Sequence, residues 1–209
     1  MEKVQKCFSG ERFEHSLNVA KEAKILAGVW GINQKKAYLA GLLHDVAKEL
    51  TLEHIKTNQI KHHTSLEKCF YEYPKIWHAL IAPDFLICIK YKFLIDDVAV
   101  LNAVKWHTTG KAKMTKLDQI LYIADYIEPK RDFADLEYIK VLANKDLDKA
   151  VFALAISSII SLTKRNLKIH PATVKCKNYY NDKLLVEDTE KITRDLWRLW
   201  EYNLESINK

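Results

Sequence analysis

Glycine, proline and cysteine are all scarce in this chain of 209 residues, which has 5 Gly, 4 Pro and 4 Cys. So few turn-forming residues disfavour a β-sandwich or a β-barrel, because both need many tight turns. The four cysteines are widely scattered and form no CxxC pair: Cys7, Cys69, Cys88 and Cys176. Neither a disulfide framework nor a thiolate zinc site is expected, and reduced thiols of this kind are typical of a cytoplasmic protein.

Long apolar runs are missing as well. Residues 1–10 are short of apolar residues and do not resemble a secretory signal segment. The apolar run from Ile81 to Ile89 is interrupted by Pro83 and Asp84, and it is too short to span a bilayer. No membrane partner is therefore expected.

A concentrated patch of positive charge is also missing, although the net charge is +6. The lysines are spread along the chain, and the mild cluster at residues 164–168 is one of only a few. A dispersed excess of this size is more typical of a solvated helical surface than of a nucleic-acid-binding stripe. It is compatible with an anionic substrate, for which phosphate groups are the obvious candidates.

Helical periodicity is what the sequence has in abundance. Apolar residues recur at steps of three and four over residues 11–30, a helix that Gly31 should end, and similar patterns follow along the chain. Residues 74–90 are predicted to be helical with a disturbance at Pro83, and residues 61–65 to be a loop. The expected helix starts are Asn33, Thr51, Asp96 or Asp97, Thr115 and Asp146.

The predicted fold class is therefore all-α, a single-domain helical bundle. Residues 1–182 are expected to form the domain. Residues 183–209 read as an amphipathic helix that packs on this domain or lies at a dimer interface, with Trp197 and Trp200 among its apolar residues.

Histidine and aspartate residues stand beside several of the apolar stripes. They are His15, the adjacent pair His44 and Asp45, His78, His107 and Asp125. Any one of these histidines, taken alone, is more often a satisfied core or boundary residue, and Asp125 alone could be a salt-bridge partner. Together, neutral imidazoles and carboxylates can bind a borderline metal and leave positions open for water and substrate. The set indicates a metal-dependent hydrolase.

Three stretches of the sequence carry a resemblance to a known family. They are residues 40–48 (AGLLHDVAK), 106–110 (WHTTG) and 123–133 (IADYIEPKRDF). The order of histidines and aspartates resembles the HD-domain metal-dependent phosphohydrolases. The three stretches together resemble, more narrowly, the bacterial symmetrical diadenosine tetraphosphate hydrolases (YqeK-type). The likeness extends over about residues 10–180. Where the family has a glycine-rich turn after His78, this chain has Ala79 to Pro83.

The resemblance implies a site with two divalent metal ions, iron by preference, with manganese, cobalt, nickel or zinc as alternatives. One ion would be held by His15, His44, Asp45 and Asp125, and the other by His78 and His107, with Asp45 bridging the two. A hydroxide between the ions would attack a central phosphorus of diadenosine tetraphosphate and release two ADP.

The same resemblance suggests which side chains bind the substrate. Lys48 and Arg131 are the candidates for neutralising charge in the transition state, alongside Asp45 as a catalytic residue. His107, Thr108, Thr109, Lys48 and Arg131 are the candidate substrate contacts. Lys48 could instead only compensate a helix dipole, and Arg131 could instead pair with Asp132 or Asp135.

Two other functions stay open at this point. One is hydrolysis of another nucleotide, a cyclic nucleotide or an alarmone on the same scaffold. The other is a nucleic-acid-binding or regulatory domain with structural metals, which the net charge, the tryptophans of the tail and residues 164–168 would support. The full ligand set argues against this second alternative, so no nucleic-acid partner is expected. A homodimer is expected from the aromatic tail, and Asn178 and Tyr179 have no assigned role.

Overall fold

A computed structural model of the protein describes residues 10–57, 60, 65–88 and 97–207, and these contain eleven helices and no strand. The helices are α1 (Gly10–Val29), α2 (Gln34–Leu43), α3 (Leu52–Thr57), α4 (Ser65–Glu72), α5 (Trp77–Cys88), α6 (Val98–Trp106), α7 (Lys116–Ile127), α8 (Leu136–Lys145), α9 (Leu147–Lys164), α10 (Pro171–Lys183) and α11 (Val186–Ile207). The all-α prediction is confirmed. No helix in these ranges is both long and apolar enough to cross a membrane.

Local signals place most helix starts where the sequence predicts them. The Asn33 side chain accepts hydrogen bonds at 3.0 and 3.1 Å from the first backbone N–H groups of α2. Thr115 forms a reciprocal capping box at the start of α7, and Asp97 and Asp146 cap α6 and α9. Gly31, with a φ of +64°, follows the end of α1. Each cap satisfies backbone groups that the helix itself leaves unpaired.

Three helices were not predicted: α4, α8 and α10. Ser65, assigned to a loop, begins α4, whereas residues 61–64 lie outside the described residues. The helix predicted over residues 74–90 begins only at Trp77, because Pro74 lies in a turn, and Pro83 lies inside it without ending it. Residues 89 and 90 lie outside the described part. The first two of these helices have only 8 and 10 residues, and the third is largely polar, so none of them shows a long apolar repeat.

The bundle is arranged so that the ends of five helices face one another. α1 packs on α2 and α7, and α6 packs on α2, α5 and α7. α9 carries an almost wholly buried stretch, residues 150–157, and contacts α7, α8, α10 and α11. Besides this central helix, α7 packs against α1, α2, α6 and α8.

The last helix, α11, is tied to the bundle through a buried carboxylate. Ile192 and Leu196 bury one face of α11, and the indole N–H of Trp200 donates to Asp135 Oδ2 at 3.1 Å. Asp135 is fully buried, and its other oxygen accepts a 2.6 Å hydrogen bond from the hydroxyl of Tyr126 on α7. Through Asp135, α11 is thus connected to Tyr126, which is the residue next to Asp125. The division of the chain at residue 182 and the dimer role of the tail stay predictions.

Replacing Trp200 by phenylalanine is expected to lower the free energy of unfolding by about 1–2 kcal/mol, since a buried carboxylate then loses a donor. Urea unfolding followed by circular dichroism measures this. Trp197→Phe is the matched control: Trp197 lies on the same helix and is 43% exposed, so its change should stay within about 0.5 kcal/mol. Equal losses in the two variants would contradict the role given to Asp135.

Candidate active site

The structure brings all six predicted metal ligands together at the facing helix ends. His15 lies on α1, and His44 and Asp45 form the turn that follows α2. His78 lies in the first turn of α5, His107 directly follows α6, and Asp125 lies near the end of α7. His15 and Asp125, which are 110 positions apart in the sequence, therefore lie in one site.

Three of these side chains form a first group. His15 Nε2 lies 3.2 Å from His44 Nε2 and 3.2 Å from Asp125 Oδ1. His44 Nε2 lies 3.7 Å from the same carboxylate oxygen. Two imidazole nitrogens and one carboxylate oxygen thus converge on a common point, a donor set that suits a divalent ion.

His78 and His107 form a second group with Asp45. The Nε2 atoms of the two histidines are 3.4 Å apart, and Asp45 Oδ1 lies 3.0 Å from the first and 3.6 Å from the second. The other oxygen of Asp45 lies 3.8 Å from His44 Nε2. Asp45 therefore stands between the two groups with one oxygen towards each, which is the position a bridging carboxylate would need.

Backbone carbonyls orient two of the imidazoles. His44 Nδ1 donates to the carbonyl of Gly41 and His107 Nδ1 donates to that of Val104, each at 2.7 Å. In this tautomer, assigned from the hydrogen-bond partners, the lone pair of Nε2 is turned into the site. The Nε2 atoms of His15 and His78 lie 3.2 and 3.4 Å from these two nitrogens, close enough for each pair to bind one cation. The residues present fit a metal centre for that reason.

The charge state of the site suits the same role. Burial lowers the pKa of both His44 and His78 to about 4, so these imidazoles are neutral near pH 7. Burial by itself would raise the pKa of Asp45, but the neighbouring imidazoles and the Lys48 ammonium hold it well below its ordinary range. The site therefore offers neutral nitrogens and an ionised carboxylate, the forms that bind metal.

Glu128 belongs to the candidate site, although the sequence analysis gave it no role. It is 2% exposed, and its Oε1 lies 3.1 Å from His15 Nδ1. Its other oxygen accepts from the backbone N–H of Lys130 and the side chain of Asn18. Burial alone would lower the pKa of His15, yet its hydrogen bonds to Asp125 and Glu128 raise it. A carboxylate behind a histidine ligand fixes the ring and increases its basicity. The only local signal was its position three residues after Asp125.

Arg12 was also missed. Its Nη1 lies 3.3 Å from Asp45 Oδ2, and its Nε donates to Glu49 Oε1 at 3.1 Å. Arg12 precedes His15 by three residues, so the two share one face of α1. That spacing was visible in the sequence, but nothing local indicated that α1 would lie against Asp45.

Lys48 and Arg131 both reach the site. Lys48 Nζ lies 3.3 Å from Asp45 Oδ1 and 3.0 Å from His78 Nε2. Arg131 Nη2 lies 2.8 Å from Asp125 Oδ1, and its Nε lies 3.7 Å from Glu128 Oε1. The alternative partner Asp135 is instead engaged by Tyr126 and Trp200. A cleft of about 310 Å³ opens here, lined by Glu11, Arg12, His15, Asp45, Lys48 and Arg131.

The two threonines after His107 differ in their surroundings. Thr109 is 1% exposed, and its hydroxyl already donates to the carbonyl of Gly110 at 2.9 Å. The hydroxyl of Thr108 is buried and has no hydrogen-bond partner among the described residues. Thr108 also lines a cavity of about 230 Å³ together with His107, Asp125 and Arg131. Of the two hydroxyls, only that of Thr108 lacks a hydrogen-bond partner among the described residues.

Comparison with known proteins gives a consistent picture. A family model described as the HD domain matches residues 12–130. The chain is 34% identical over 173 residues to a symmetrical bis(5'-nucleosyl)-tetraphosphatase of Staphylococcus aureus, covering 82% of this chain and 87% of that protein. It is 33% identical over 167 residues to a protein of the same name from Halalkalibacterium halodurans, covering 80% and 87%.

A solved structure is similar over nearly its whole length. It is described as a predicted HD superfamily hydrolase involved in NAD metabolism from Clostridium acetobutylicum. The two folds superpose with a TM-score of 0.76 at 33% sequence identity, over 88% of this chain and 97% of that one.

Proposed function

Because this chain belongs to the HD-domain family and, within it, to the symmetrical bis(5'-nucleosyl)-tetraphosphatases, we propose that it hydrolyses diadenosine tetraphosphate to two ADP. It is a hydrolase of the metal-dependent kind. The observation that carries the proposal is the pair of histidine groups on either side of Asp45, with arginine and lysine side chains directly beside it.

The metal centre we propose holds two divalent ions. His15, His44, Asp45 and Asp125 would bind one, and His78, His107 and Asp45 the other. Iron is the native metal in this proposal, and manganese, cobalt, nickel and zinc suit the same donor atoms. When bound, two such ions make a nucleophile of water at neutral pH and neutralise phosphate charge.

The chain's own side chains have two tasks in this reaction. Arg12, Lys48 and Arg131 present cationic groups to the 310 Å³ cleft, where they would bind the oxygens of the tetraphosphate and offset charge that builds up in the transition state. Glu128 and the carbonyl oxygens of Gly41 and Val104 would keep the imidazoles in position. The leaving ADP is a stable anion, so no strong general acid is required.

The alternative on the same scaffold is another nucleotide substrate. A nucleic-acid-binding role has weaker support, because Trp200 is engaged by Asp135 and the Lys164 ammonium lies over the rings of Trp197 and Trp200. A homodimer through α11 and a cytoplasmic location stay predictions from the sequence.

Product analysis tests the proposal. The purified protein is incubated with diadenosine tetraphosphate and, in separate samples, iron, manganese, cobalt, nickel or zinc, and the products are separated by anion exchange. ADP as the sole product supports the proposal. AMP together with ATP would show that cleavage is asymmetrical. No turnover with any of the five metals would refute the assigned substrate.

Lys48→Ala is expected to leave the metal content unchanged and to reduce kcat about 10–100-fold, because a cation beside the phosphates is lost while all six metal ligands remain. Elemental analysis and steady-state kinetics measure the two quantities. Lys24→Ala, which removes an exposed lysine of α1, is the control and should match the original protein. An unchanged kcat for Lys48→Ala would remove Lys48 from the reaction.

A further inference from the structure

The connection between α7 and α8, residues 128–135, contains no helix and carries Arg131. The Nε atom of Arg131 donates to the backbone carbonyl of Asp125 at 3.2 Å, and its Nη2 atom donates to the carboxylate of the same residue at 2.8 Å. An arginine in an irregular segment keeps such a position only while the segment itself is held. The contacts that hold residues 128–135 therefore decide where this guanidinium lies.

Buried carboxylates hold the segment at both of its ends. At the start, Glu128 accepts a hydrogen bond at 2.9 Å from the backbone N–H of Lys130. At the end, Asp135 is fully buried and directly precedes α8, yet its side chain makes no capping hydrogen bond to that helix. Its two oxygens accept instead from the Tyr126 hydroxyl at 2.6 Å and from the Trp200 indole N–H at 3.1 Å. Asp135 thus ties the segment to α7 and to α11.

Aromatic contacts connect this anchor with the arginine. The rings of Tyr126 and Phe133 are stacked, with their centroids 4.5 Å apart and an angle of 21° between their planes. The Arg131 guanidinium lies over the Phe133 ring, 5.8 Å from its centroid. Stacking and cation–π contacts both favour one orientation of the groups that take part. A continuous series of contacts therefore leads from Trp200 on α11 to the cation beside the cleft.

We propose that Asp135 and Trp200 are positioning residues for Arg131, so that α11 takes part in binding the phosphates of the substrate. Among the described residues, neither lines the 310 Å³ cleft or the 230 Å³ cavity, whereas Arg131 lines both. This inference rests on the proposed function, because it takes Arg131 as a phosphate ligand. A guanidinium that is already held in place binds a phosphate chain without the entropy cost of ordering the segment at that moment.

The carboxylate of Asp135 gives the physical reason why Trp200 is needed. Without the indole N–H, one oxygen of a fully buried carboxylate loses its donor. The first turn of α8 offers backbone N–H groups directly beside Asp135, and an aspartate before a helix readily binds them. We expect the carboxylate to turn towards these groups and to move the end of the segment with it. The stack of Phe133 and Arg131 would then shift away from the cleft.

A double-mutant cycle on ADP binding tests this inference. Isothermal titration calorimetry of the manganese-loaded protein gives the Kd of ADP without any turnover, for Trp200→Phe, for Arg131→Ala and for the double variant. Tyr138→Phe is the matched control. It removes another hydrogen bond between α8 and α11, from the Tyr138 hydroxyl to Asp195 Oδ2 at 3.3 Å, and leaves both donors of Asp135 in place.

We expect the Kd of ADP to rise about tenfold in Arg131→Ala and about fivefold in Trp200→Phe, with the metal content of Trp200→Phe unchanged. In the Arg131→Ala background, Trp200→Phe should change the Kd less than about twofold, because the residue through which it acts is gone. Tyr138→Phe should bind ADP like the original protein. If Trp200→Phe does not fold, Tyr126→Phe, which removes the other donor to Asp135, takes its place in the cycle.

The outcomes separate this inference from the proposed function. An unchanged Kd in Trp200→Phe, equal losses with and without Arg131, or a matching loss in Tyr138→Phe would overturn the positioning role, even if ADP is formed normally. No binding of ADP to the original protein would overturn it as well, because Arg131 would then hold no phosphate. The expected pattern of Kd values, without hydrolysis of diadenosine tetraphosphate by the original protein, would uphold the positioning role and overturn the proposed substrate.

Discussion

Replacing Asp45 by asparagine is expected to reduce hydrolysis of diadenosine tetraphosphate by about 10³-fold or more, which corresponds to roughly 4 kcal/mol of activation free energy. The reason is that Asp45 is, among the described residues, the one side chain with an oxygen towards each histidine group, at 3.0 Å from His78 and 3.8 Å from His44. An amide keeps the shape of this side chain but has no charge and only one acceptor oxygen. Both metal positions therefore lose a ligand in a single substitution.

Metal content is the measurement that identifies this cause. Elemental analysis should find less than one ion per chain in Asp45→Asn. Added manganese should raise the Tm of the original protein, because ligands that bind only the folded state stabilise it, and should not raise that of the variant. Glu49→Gln is the control, since it removes another carboxylate that contacts Arg12. An Asp45→Asn protein with full metal content and normal kcat would contradict the bridging role.

Replacing Gly41 by alanine is expected to destabilise the protein by about 3 kcal/mol or more, in the range of severe overpacking. Gly41 lies where α2 crosses α1, and a Cβ atom there would be 2.5 Å from Ala20 Cα and 2.8 Å from Ala20 N. These are backbone atoms of a neighbouring helix, so no side chain can rotate away. The two helices would have to separate.

Separation of α1 from α2 should also disturb the metal centre. The carbonyl of Gly41 accepts the hydrogen bond that orients His44, and α1 carries His15. Metal content and stability should therefore fall together in Gly41→Ala, as measured by elemental analysis and urea unfolding.

Gly28→Ala on α1 is the matched control. A Cβ atom there would meet only the flexible end of Gln34, at 3.0 Å, and alanine favours the helix by about 1 kcal/mol. Its stability should be unchanged or slightly higher. An equal loss from both glycine variants would show that general packing, and not the crossing at Ala20, decides the effect.

Helix starts and the identity of the six ligand candidates could be predicted from the sequence alone. Asn33, Thr115 and Asp146 act on backbone groups two or three residues away, so their effect is readable without any tertiary information. The histidines and aspartates were recognised because they stand beside apolar stripes and match the order found in a known family. α4 has only 8 residues and α10 is largely polar, so neither carries a long apolar stripe, and both were missed.

What surrounds the ligands was decided only by the tertiary structure. Arg12 contacts Asp45 across 33 residues of chain, His15 contacts Glu128 across 113, and Trp200 contacts Asp135 across 65. No local pattern encodes these pairings, because each depends on how whole helices cross. The cavity of about 230 Å³ beside Thr108 has the same origin, since its wall combines residues from separate helices and turns, such as Ile76, His107 and Leu154. The sequence by itself determined which residues could bind metal, whereas helix packing determined which side chains orient them.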